Sequence, residues 1–343
     1  MWLSLKKNVP LGANPKNMKA VRTIVVWCSL CLTAPAWAQE SGSVFNFLKL
    51  PTSAHTTALG GKNISLIEDD PSLTFQNPAL LASVSDNSLN LNFMTYLRGA
   101  KTGSAAFSRV AGKRGTWGTG VQFVGYGAMK ETLATGEELG DARALDMGLS
   151  GMYSYSLSDH WVGGATGKFI YSRYADYTSV GLAVDLGLNY YDDEHDFSLS
   201  AVAANLGGQV KAFGDKHERL PFDLQVGFSK SLGHAPIRFS LTLVDLTRWN
   251  GKYYYHVSKE PKGSSILMNH FCFGVDIIPT QQFYIAAGYN FRRAYEMKAA
   301  GSSHAAGLSV GAGLNIKGFK FGLAYAKYHV SSPTLSVSAS YSL

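Results

Sequence analysis

From Ser88 to Leu343 the chain is a succession of short segments in which large apolar residues alternate with small or polar ones. In most segments one face is aliphatic or aromatic and the other is rich in Gly, Ala and Ser. The apolar face is clearest at Leu182, Val184, Leu186 and Leu188, at Phe271, Phe273, Val275 and Ile277, and at Leu308, Val310, Ala312 and Leu314. A period of two residues is that of a β-strand, whose successive side chains point to opposite faces. The pattern therefore predicts an all-β chain.

Fourteen strands are predicted, and their connections alternate in length. The strands span residues 88–96, 103–110, 115–126, 142–156, 161–174, 178–191, 196–204, 222–231, 236–247, 270–277, 282–292, 304–315, 318–328 and 334–343. The longer connections are 127–141, 205–221, 248–269 and 293–303. Transmembrane barrels have an even number of strands, short periplasmic turns and longer outer loops. We therefore expect both chain ends in the periplasm and the long loops outside the cell.

Charge and composition favour a membrane barrel over a soluble sheet protein. Charged residues make up 16 % of the chain, against about 25 % in an average soluble protein. A secreted β-sandwich or propeller is the alternative, but its outward face would carry more charge than the Gly/Ala/Ser face found here. The predicted fold is a transmembrane antiparallel β-barrel of about 14 strands over residues 88–343, with the apolar face toward lipid.

Residues 39–87 do not follow this pattern. Between Val44 and Leu81 the two-residue alternation is lost, and Pro51, Gly60-Gly61 and Asn77-Pro78 interrupt the sequence. A lumen lined by small residues has room for such a segment. We therefore predict that residues 39–87 form an N-terminal plug inside the barrel.

Residues 1–38 have the features of a secretory signal peptide. Lys19 and Arg22 precede an apolar run, and Ala36-Trp37-Ala38 gives a small-x-small cleavage site. Met18 is then a plausible start. The leader contains five basic residues and no acid, so its removal lowers the net charge from +7 to +2 (7 − 5). The basic balance thus resides in the leader and gives no reason to predict a nucleic-acid partner.

Side-chain chemistry suggests neither an enzyme nor a metal or cofactor site. No arrangement of Ser, His and acid fixes a catalytic triad, and the nine His residues show no paired ligand spacing. Of the three cysteines only Cys272 follows the leader, which excludes a disulfide framework. The sequence therefore predicts no catalytic, cofactor-binding or metal-ligating residues.

One connection combines basic and aromatic residues. It contains Arg248, Trp249, Lys252, Tyr253, Tyr254 and Tyr255. Such a mixture suits a protein interface or the headgroups of anionic lipopolysaccharide. A membrane-interface girdle followed by a solvated loop is the alternative interpretation. These residues are the candidate partner-binding loop.

The predicted plug carries a recognisable signature. Its motifs are Phe45-Asn46-Phe47-Leu48-Lys49-Leu50-Pro51, Ser53-Ala54, Ala58-Leu59-Gly60-Gly61, Asp69-Asp70 and Asn77-Pro78-Ala79-Leu80-Leu81. They resemble the N-terminal signature of the PorQ family of the type IX secretion system of Bacteroidetes, with His55 where that signature has arginine. The wider pattern is similar to PorV and to the fatty-acid-transporter-like outer-membrane barrels.

This resemblance implies a function that the residues alone do not. It implies a non-enzymatic outer-membrane barrel that anchors a surface attachment complex of PorU, PorV and a PorZ-like surface protein. That complex processes secreted cargo and joins it to anionic lipopolysaccharide. The alternative that the same fold allows is an outer-membrane transporter for hydrophobic molecules. A transporter should have a continuous apolar path beside the plug and a kinked strand, whereas an anchor needs neither.

Overall fold

A computed structural model describes residues 43–342, apart from 97–98, 133–137, 257–259, 302–304 and 331. The predicted signal peptide over residues 1–38 lies outside the described residues. Fourteen antiparallel strands close into a barrel, because β1 pairs with both β2 and β14. The strands are β1 Ser88–Thr95, β2 Lys101–Ala111, β3 Gly115–Thr132, β4 Glu138–Ser156, β5 Trp161–Tyr174, β6 Tyr177–Asp192, β7 Phe197–Lys211, β8 Asp223–Ser231, β9 Ile237–Leu243, β10 Phe271–Thr280, β11 Phe283–Asn290, β12 Leu308–Ile316, β13 Phe319–His329 and β14 Ser332–Ser342. The predicted fold class is confirmed.

The two ends of the barrel differ. We call the end with Ser88, Ser342 and the tight turns the turn end. The other, the loop end, carries the connections between β7 and β8, β9 and β10, and β11 and β12. Two short helices lie there: α2 over Ser264–Asn269 and α3 over Phe291–Ala299 (α1 belongs to the N-terminal segment below). The strands β3, β4 and β7 extend farther toward the loop end than expected, so parts of the predicted connections 127–141 and 205–221 are strand.

The two faces of the wall follow the sequence alternation. Leu182, Val184, Leu186 and Leu188 are exposed on the outer surface, whereas Asp185 and Ala183 between them are buried inside. Large apolar side chains cover the outside of the other strands in the same way. Within the described ranges, no helix combines the length and the apolar character needed to cross a bilayer.

A charge on this outer face should destabilise the barrel. Leu186 is 44 % exposed in the middle of β6. If it lies near the bilayer midplane, Leu186→Arg should lower the free energy of unfolding by about 2–4 kcal/mol. Tyr177, 65 % exposed where β6 begins at the loop end, is the matched control, and Tyr177→Arg should cost much less. The measurement is urea unfolding in lipid vesicles. Equal costs at the two positions would place Leu186 away from the hydrocarbon.

Residues 43–87 lie inside the barrel rather than in its wall. They form α1 over Ala54–Ala58 and short 3₁₀ turns over Asn46–Lys49, Pro71–Phe75 and Pro78–Ser83. They do not pair with the strands of the wall, and most of their side chains are buried within it. We call these residues the plug segment. Their role as a plug over residues 39–87 stays a prediction.

Candidate functional site

The core of the plug segment is a group of leucines packed against the wall. Leu59, Leu66, Leu73 and Leu80 are each 1 % exposed or less. They form one cluster with Ala54 and Ala58 of α1 and with Ala286 and Ala324 of the wall. Burial of four leucines is worth about 1.5–3 kcal/mol for each side chain. This core fixes the plug segment near β11 and β13 and closes the middle of the lumen.

Glycines in the wall admit the plug backbone. A Cβ on Gly288 would lie 2.2 Å from the amide nitrogen of Gly60, and a Cβ on Gly164 would lie 2.4 Å from that of Ala79. Real Cβ atoms do not approach backbone so closely, so these two positions require glycine. The small inner face of the strands is therefore matched to the segment that it encloses.

Two Asx-Pro pairs shape the turns of the plug segment. The side chain of Asp70 accepts a hydrogen bond from the Ser72 amide at 2.9 Å, and that of Asn77 accepts one from the Ala79 amide at 3.0 Å. Each thus caps a short 3₁₀ turn that begins with proline, whose missing amide hydrogen is not needed there. The Asn77 amide also donates to the Ile64 carbonyl at 2.7 Å. The Asn-Pro motif therefore ties two parts of the plug together.

Four charged groups link the plug segment to the wall near the turn end. His55 lies between Glu68 and Asp276, with Nδ1 2.8 Å from the first carboxylate and Nε2 2.7 Å from the second. Arg238 of β9 contacts both of these carboxylates, at 2.6 and 2.9 Å. The imidazole also stacks on the Tyr284 ring at 3.8 Å. We call His55, Glu68, Arg238 and Asp276 the charged cluster.

The charged cluster keeps His55 protonated. Burial opposes the imidazolium, but the Glu68 and Asp276 carboxylates outweigh it and raise the pKa of His55 from 6.5 to about 9. Burial likewise opposes ionisation of Glu68, but His55 and Arg238 outweigh it and hold the pKa of that carboxyl well below its usual range. At neutral pH the cluster therefore has two positive and two negative charges. The position where the signature has arginine is thus occupied by a cationic histidine.

Alkaline pH should loosen this attachment. The pKa of His55 is higher in the folded than in the unfolded protein, so protonated His55 stabilises the fold. This contribution is fully present below about pH 6.5 and is lost as the pH rises through about 9. Urea midpoints in detergent should therefore fall between about pH 6 and about pH 10. Part of that fall should disappear in His55→Gln. An identical pH profile for the variant and the wild type would contradict the assignment of His55.

A second group of plug side chains fills the loop-end half of the lumen. Phe45 is buried there, against Gly181, where an added Cβ would lie 2.6 Å from the ring. Its backbone has a φ of 58°, a left-handed conformation that is unfavourable for an aromatic residue. The buried members of this apolar cluster are Val44, Phe45, Phe47, Leu48, Val124, Ile170, Ala183 and Leu220. Apolar side chains thus extend from the β7–β8 connection to the inner face of β6.

The wall is irregular next to this apolar cluster. On β6 and β7, Val184 pairs with Leu206 and Leu186 with Ala203, so Asp185 faces two residues of β7. This is a β-bulge in the middle of the wall. A groove of about 900 Å³ lies beside it, lined by Thr119, Leu149, Ser150, Gly151, Gly167, Lys168, Phe169, Leu182, Ala183, Val184, Leu206, Gly207, Gly208, Gln209 and Val210. Ala183 belongs to both the apolar cluster and the groove lining.

A second cavity lies between the two helices at the loop end. It has a volume of about 700 Å³ and is open on one side. Its lining is mixed, from α2, α3 and the neighbouring strand ends: Ser264, Ser265, Met268, Asn269, Tyr289, Phe291, Ala294, Tyr295, Lys298, Ala305, Ala306 and Leu308. We call it the loop-end pocket.

The structure divides the candidate partner-binding loop. Tyr254 is 1 % exposed, so it cannot contact a partner at the surface, and its inclusion in the candidate partner-binding loop is corrected. The Tyr253 hydroxyl lies 3.2 Å from Asp245, and the guanidiniums of Arg248 and Arg292 lie over its ring at 5.1 and 4.8 Å. Trp249 and Tyr255 are each 53 % exposed, and Lys252 is exposed too. A partner at this exposed part stays a prediction.

The predicted signature residues have two different roles. Phe45, Phe47 and Leu48 form the apolar cluster, while Leu59, Asn77 and the residues near them build the plug core and its turns. The buried signature residues are Phe45, Phe47, Leu48, Pro51, Leu59, Gly60, Gly61, Asn77, Pro78 and Ala79, whereas Asp70 is half-buried. Sequence reasoning missed Lys168, Asp185, Arg238 and Asp276. Isolated charges on the small-residue face of a strand were the available signal.

Solved β-barrels share this fold. The toluene transporter TodX of Pseudomonas putida has a TM-score of 0.54 and 12 % identity, over 85 % of this chain and 98 % of that one. A FadL homologue of Pseudomonas aeruginosa has a TM-score of 0.51 and 11 % identity, over 84 % and 98 %. The monoaromatic hydrocarbon channel CymD has a TM-score of 0.53 and 12 % identity, over 86 % and 98 %. No protein-family profile matches the chain, and no curated protein does.

These comparisons correct the main functional prediction. The sequence suggested an anchor for a PorU, PorV and PorZ-like attachment complex, but the barrels that match over most of the chain include a toluene transporter and a hydrocarbon channel. The anchor prediction is therefore wrong, and the alternative has the better support. The shared fold is that of FadL-like outer-membrane barrels, which agrees with the coarser part of the sequence resemblance. The narrower resemblance to PorQ stays a prediction.

Proposed function

We propose that this chain is an outer-membrane channel that carries small hydrophobic molecules into the membrane from outside the cell. The observation that carries the proposal is that Ala183 lies between the two apolar regions: it belongs both to the apolar cluster inside the lumen and to the lining of the groove on the outer wall. An opening of the wall at this point would let an apolar molecule pass from one to the other without entering water. The proposal also agrees with the hydrocarbon channels that share the fold.

The closed middle of the lumen favours a sideways route. A molecule that travelled along the barrel axis would have to displace the leucine core and break the charged cluster, including the contact of His55 with Asp276 at 2.7 Å. The path through the apolar cluster to β6 requires movement of the first residues of the plug segment and of the wall beside them, but it leaves the leucine core and the charged cluster in place. These residues begin at a single backbone hydrogen bond, from the Val44 amide to the Arg219 carbonyl at 3.0 Å.

The loop-end pocket supplies a first contact for such molecules. It contains the aromatic rings of Tyr289, Phe291 and Tyr295 and lies at the end of the barrel that faces the outside in this proposal. Concave sites with apolar walls and a few polar groups are typical of small-molecule binding. The exposed Trp249, on the neighbouring connection, is well placed for the membrane interface.

The test is uptake of a hydrophobic probe by cells. Toluene uptake would be measured in a strain that lacks the gene, with and without the gene restored, next to uptake of a sugar of similar size. We expect the restored gene to accelerate toluene entry and to leave sugar entry unchanged, because the plug closes the aqueous route. Equal toluene uptake with and without the gene would refute the proposed function.

Phe45 should limit the rate of passage. Its ring lies beside Gly181 on the proposed path, so Phe45→Ala should raise toluene uptake by about fivefold if displacement of the ring costs about 1 kcal/mol. Phe75→Ala is the control, since Phe75 packs against Gly120 in a different cluster and its loss creates a comparable hole. Equal effects of the two substitutions would show that Phe45 does not lie on the route.

A further inference from the structure

At the bulge between β6 and β7, side chains hold the two strands together where the backbone ladder is interrupted. The Asp185 carboxylate accepts a hydrogen bond from the backbone N–H of Asn205 at 2.7 Å. The Lys168 ammonium lies 2.5 Å from the same carboxylate and donates to the Asn205 side-chain oxygen at 2.9 Å. Three neighbouring strands, β5, β6 and β7, are thereby joined at one point. All three residues are buried on the lumen side of the wall.

The backbone of β7 is adapted to this junction. Asn205 has a φ of 59°, and its side-chain amide also donates to the Pro221 carbonyl at 3.1 Å. Just beyond it, a Cβ on Gly207 would lie 2.0 Å from the Leu182 carbonyl oxygen, so the two strands approach more closely than any side chain allows. The seam is therefore closed by a side-chain bridge and by a glycine rather than by an uninterrupted ladder.

Other described seams are more regular at this depth. The pairing of β12 with β13 and that of β5 with β6 have no register shift. The shifts between β10 and β11 and between β13 and β14 lie near strand ends, and the two shifts between β3 and β4, at Gly125/Ala128 and Glu131/Thr132, lie in the part of β3 toward the loop end. At the β6–β7 seam the bulge lies in mid-wall, between the apolar cluster on one side and the 900 Å³ groove on the other.

We infer that Lys168, Asp185 and Asn205 form a latch that holds the β6–β7 seam closed and releases it when a hydrophobic molecule leaves the lumen. This inference rests on the proposed function and names the place of exit and the residues that control it. Opening breaks the bonds of Asn205 to Lys168 and to Asp185. The Lys168–Asp185 ion pair stays intact on β5 and β6, so no charge is left alone in the wall.

A pair of engineered cysteines tests the exit. Leu186 and Ala203 face each other across the seam on the outer face, and paired Cα positions in a sheet are within disulfide range. In a Cys272→Ser background, Leu186→Cys with Ala203→Cys should form a disulfide that lowers toluene uptake at least about tenfold, with recovery after reduction. Ala312→Cys with Leu323→Cys, another paired Ala and Leu across β12–β13, is the control and should leave uptake unchanged.

A second measurement tests the latch without transport. Asn205→Gly tolerates the left-handed backbone and keeps the backbone hydrogen bond to Asp185, but it removes the side-chain bonds to Lys168 and to the Pro221 carbonyl. Amide exchange at residues 203–208 should therefore accelerate about tenfold while β12–β13 stays unchanged. Asn87→Gly, at another left-handed Asn, is the control. Unchanged exchange at 203–208 would rule out the latch, and normal uptake by the oxidised Leu186/Ala203 pair would rule out this exit. If the wild type takes up no toluene, both the proposed function and the gating role of the latch are refuted. The amide-exchange measurement would still show whether Lys168, Asp185 and Asn205 hold the seam together.

Discussion

Gly288→Val should expel the plug segment from its seat and turn a closed barrel into an open one. The added Cβ would lie 2.2 Å from the Gly60 amide nitrogen, 2.3 Å from the Leu59 carbonyl carbon and 2.6 Å from the Ala58 carbonyl oxygen. All three atoms are backbone, so no side chain can rotate away. The rest of the wall remains paired through fourteen strands, and the clash therefore falls on the plug. We expect the free energy that holds the plug segment inside the barrel to fall by about 3 kcal/mol or more.

Ion conductance in planar bilayers measures this effect. The wild type should conduct little, because the leucine core and the charged cluster fill the lumen. The variant should show large, long-lived channels, since a barrel of this size without its plug is wide enough for water. Gly125→Val is the control, because a Cβ at that position meets nothing within 4 Å. If a correctly folded Gly288→Val protein conducts no more than the wild type, the plug segment can still close the lumen in another position, and the prediction is wrong.

Arg238→Met should cost about 3–5 kcal/mol of stability, the usual effect of removing one partner from a buried ion network. Arg238 contacts both Glu68 and Asp276, and without it these two carboxylates share only His55. Two negative charges and one positive charge would then remain between the plug segment and β10. The urea midpoint of the folded barrel in detergent should fall accordingly, with the plug region losing protection first.

A compensating variant separates the charge effect from the loss of packing. Replacing Arg238, Glu68 and Asp276 together by Met, Gln and Asn also removes the two carboxylates that keep His55 protonated, so burial lowers the pKa of His55 and the imidazole becomes neutral. No unpaired charge then remains, and the triple variant should be more stable than Arg238→Met alone. Arg173→Met, at an exposed arginine near the loop end of β5, should change stability by less than about 0.5 kcal/mol. A triple variant no more stable than Arg238→Met would mean that packing around Arg238, not charge, is what matters.

The sequence predicted the wall well because the bilayer imposes a simple rule on it. Leu182, Leu186 and their neighbours must face lipid, so their two-residue period reveals both the strand and its outer face. Beyond the bilayer this requirement ends. For that reason the extensions of β3 to Thr132 and of β4 from Glu138 were predicted as a connection.

The candidate site was harder to predict because its contacts join distant parts of the chain. His55 and Asp276 are 221 positions apart, and only strand pairing brings them together. The bulge opposite Asp185 depends on the register of two strands, which single-residue patterns do not determine. Tyr254 illustrates the opposite problem: its aromatic and basic neighbours suggested a surface, but Arg292 and Asp245 draw that part of the loop inward.

The functional prediction failed for a related reason. The motifs of the plug segment, such as Asn77-Pro78, determine how the segment folds inside a barrel. Barrels of different function can contain a segment folded in the same way, so the motifs do not identify the function. The features that support the proposed channel are the apolar cluster around Phe45 and the irregular seam near Asp185. Both became visible only in three dimensions.

The most direct test of the account is toluene flux across a reconstituted asymmetric membrane with lipopolysaccharide in its outer leaflet and the purified protein as the sole protein. That leaflet is the barrier which a hydrophobic-molecule channel exists to overcome. We predict that the protein raises toluene flux in proportion to its amount while ion conductance stays near the protein-free level. Toluene flux equal to that of the protein-free membrane would contradict the central claim, and so would a rise matched by an equal rise in ion conductance.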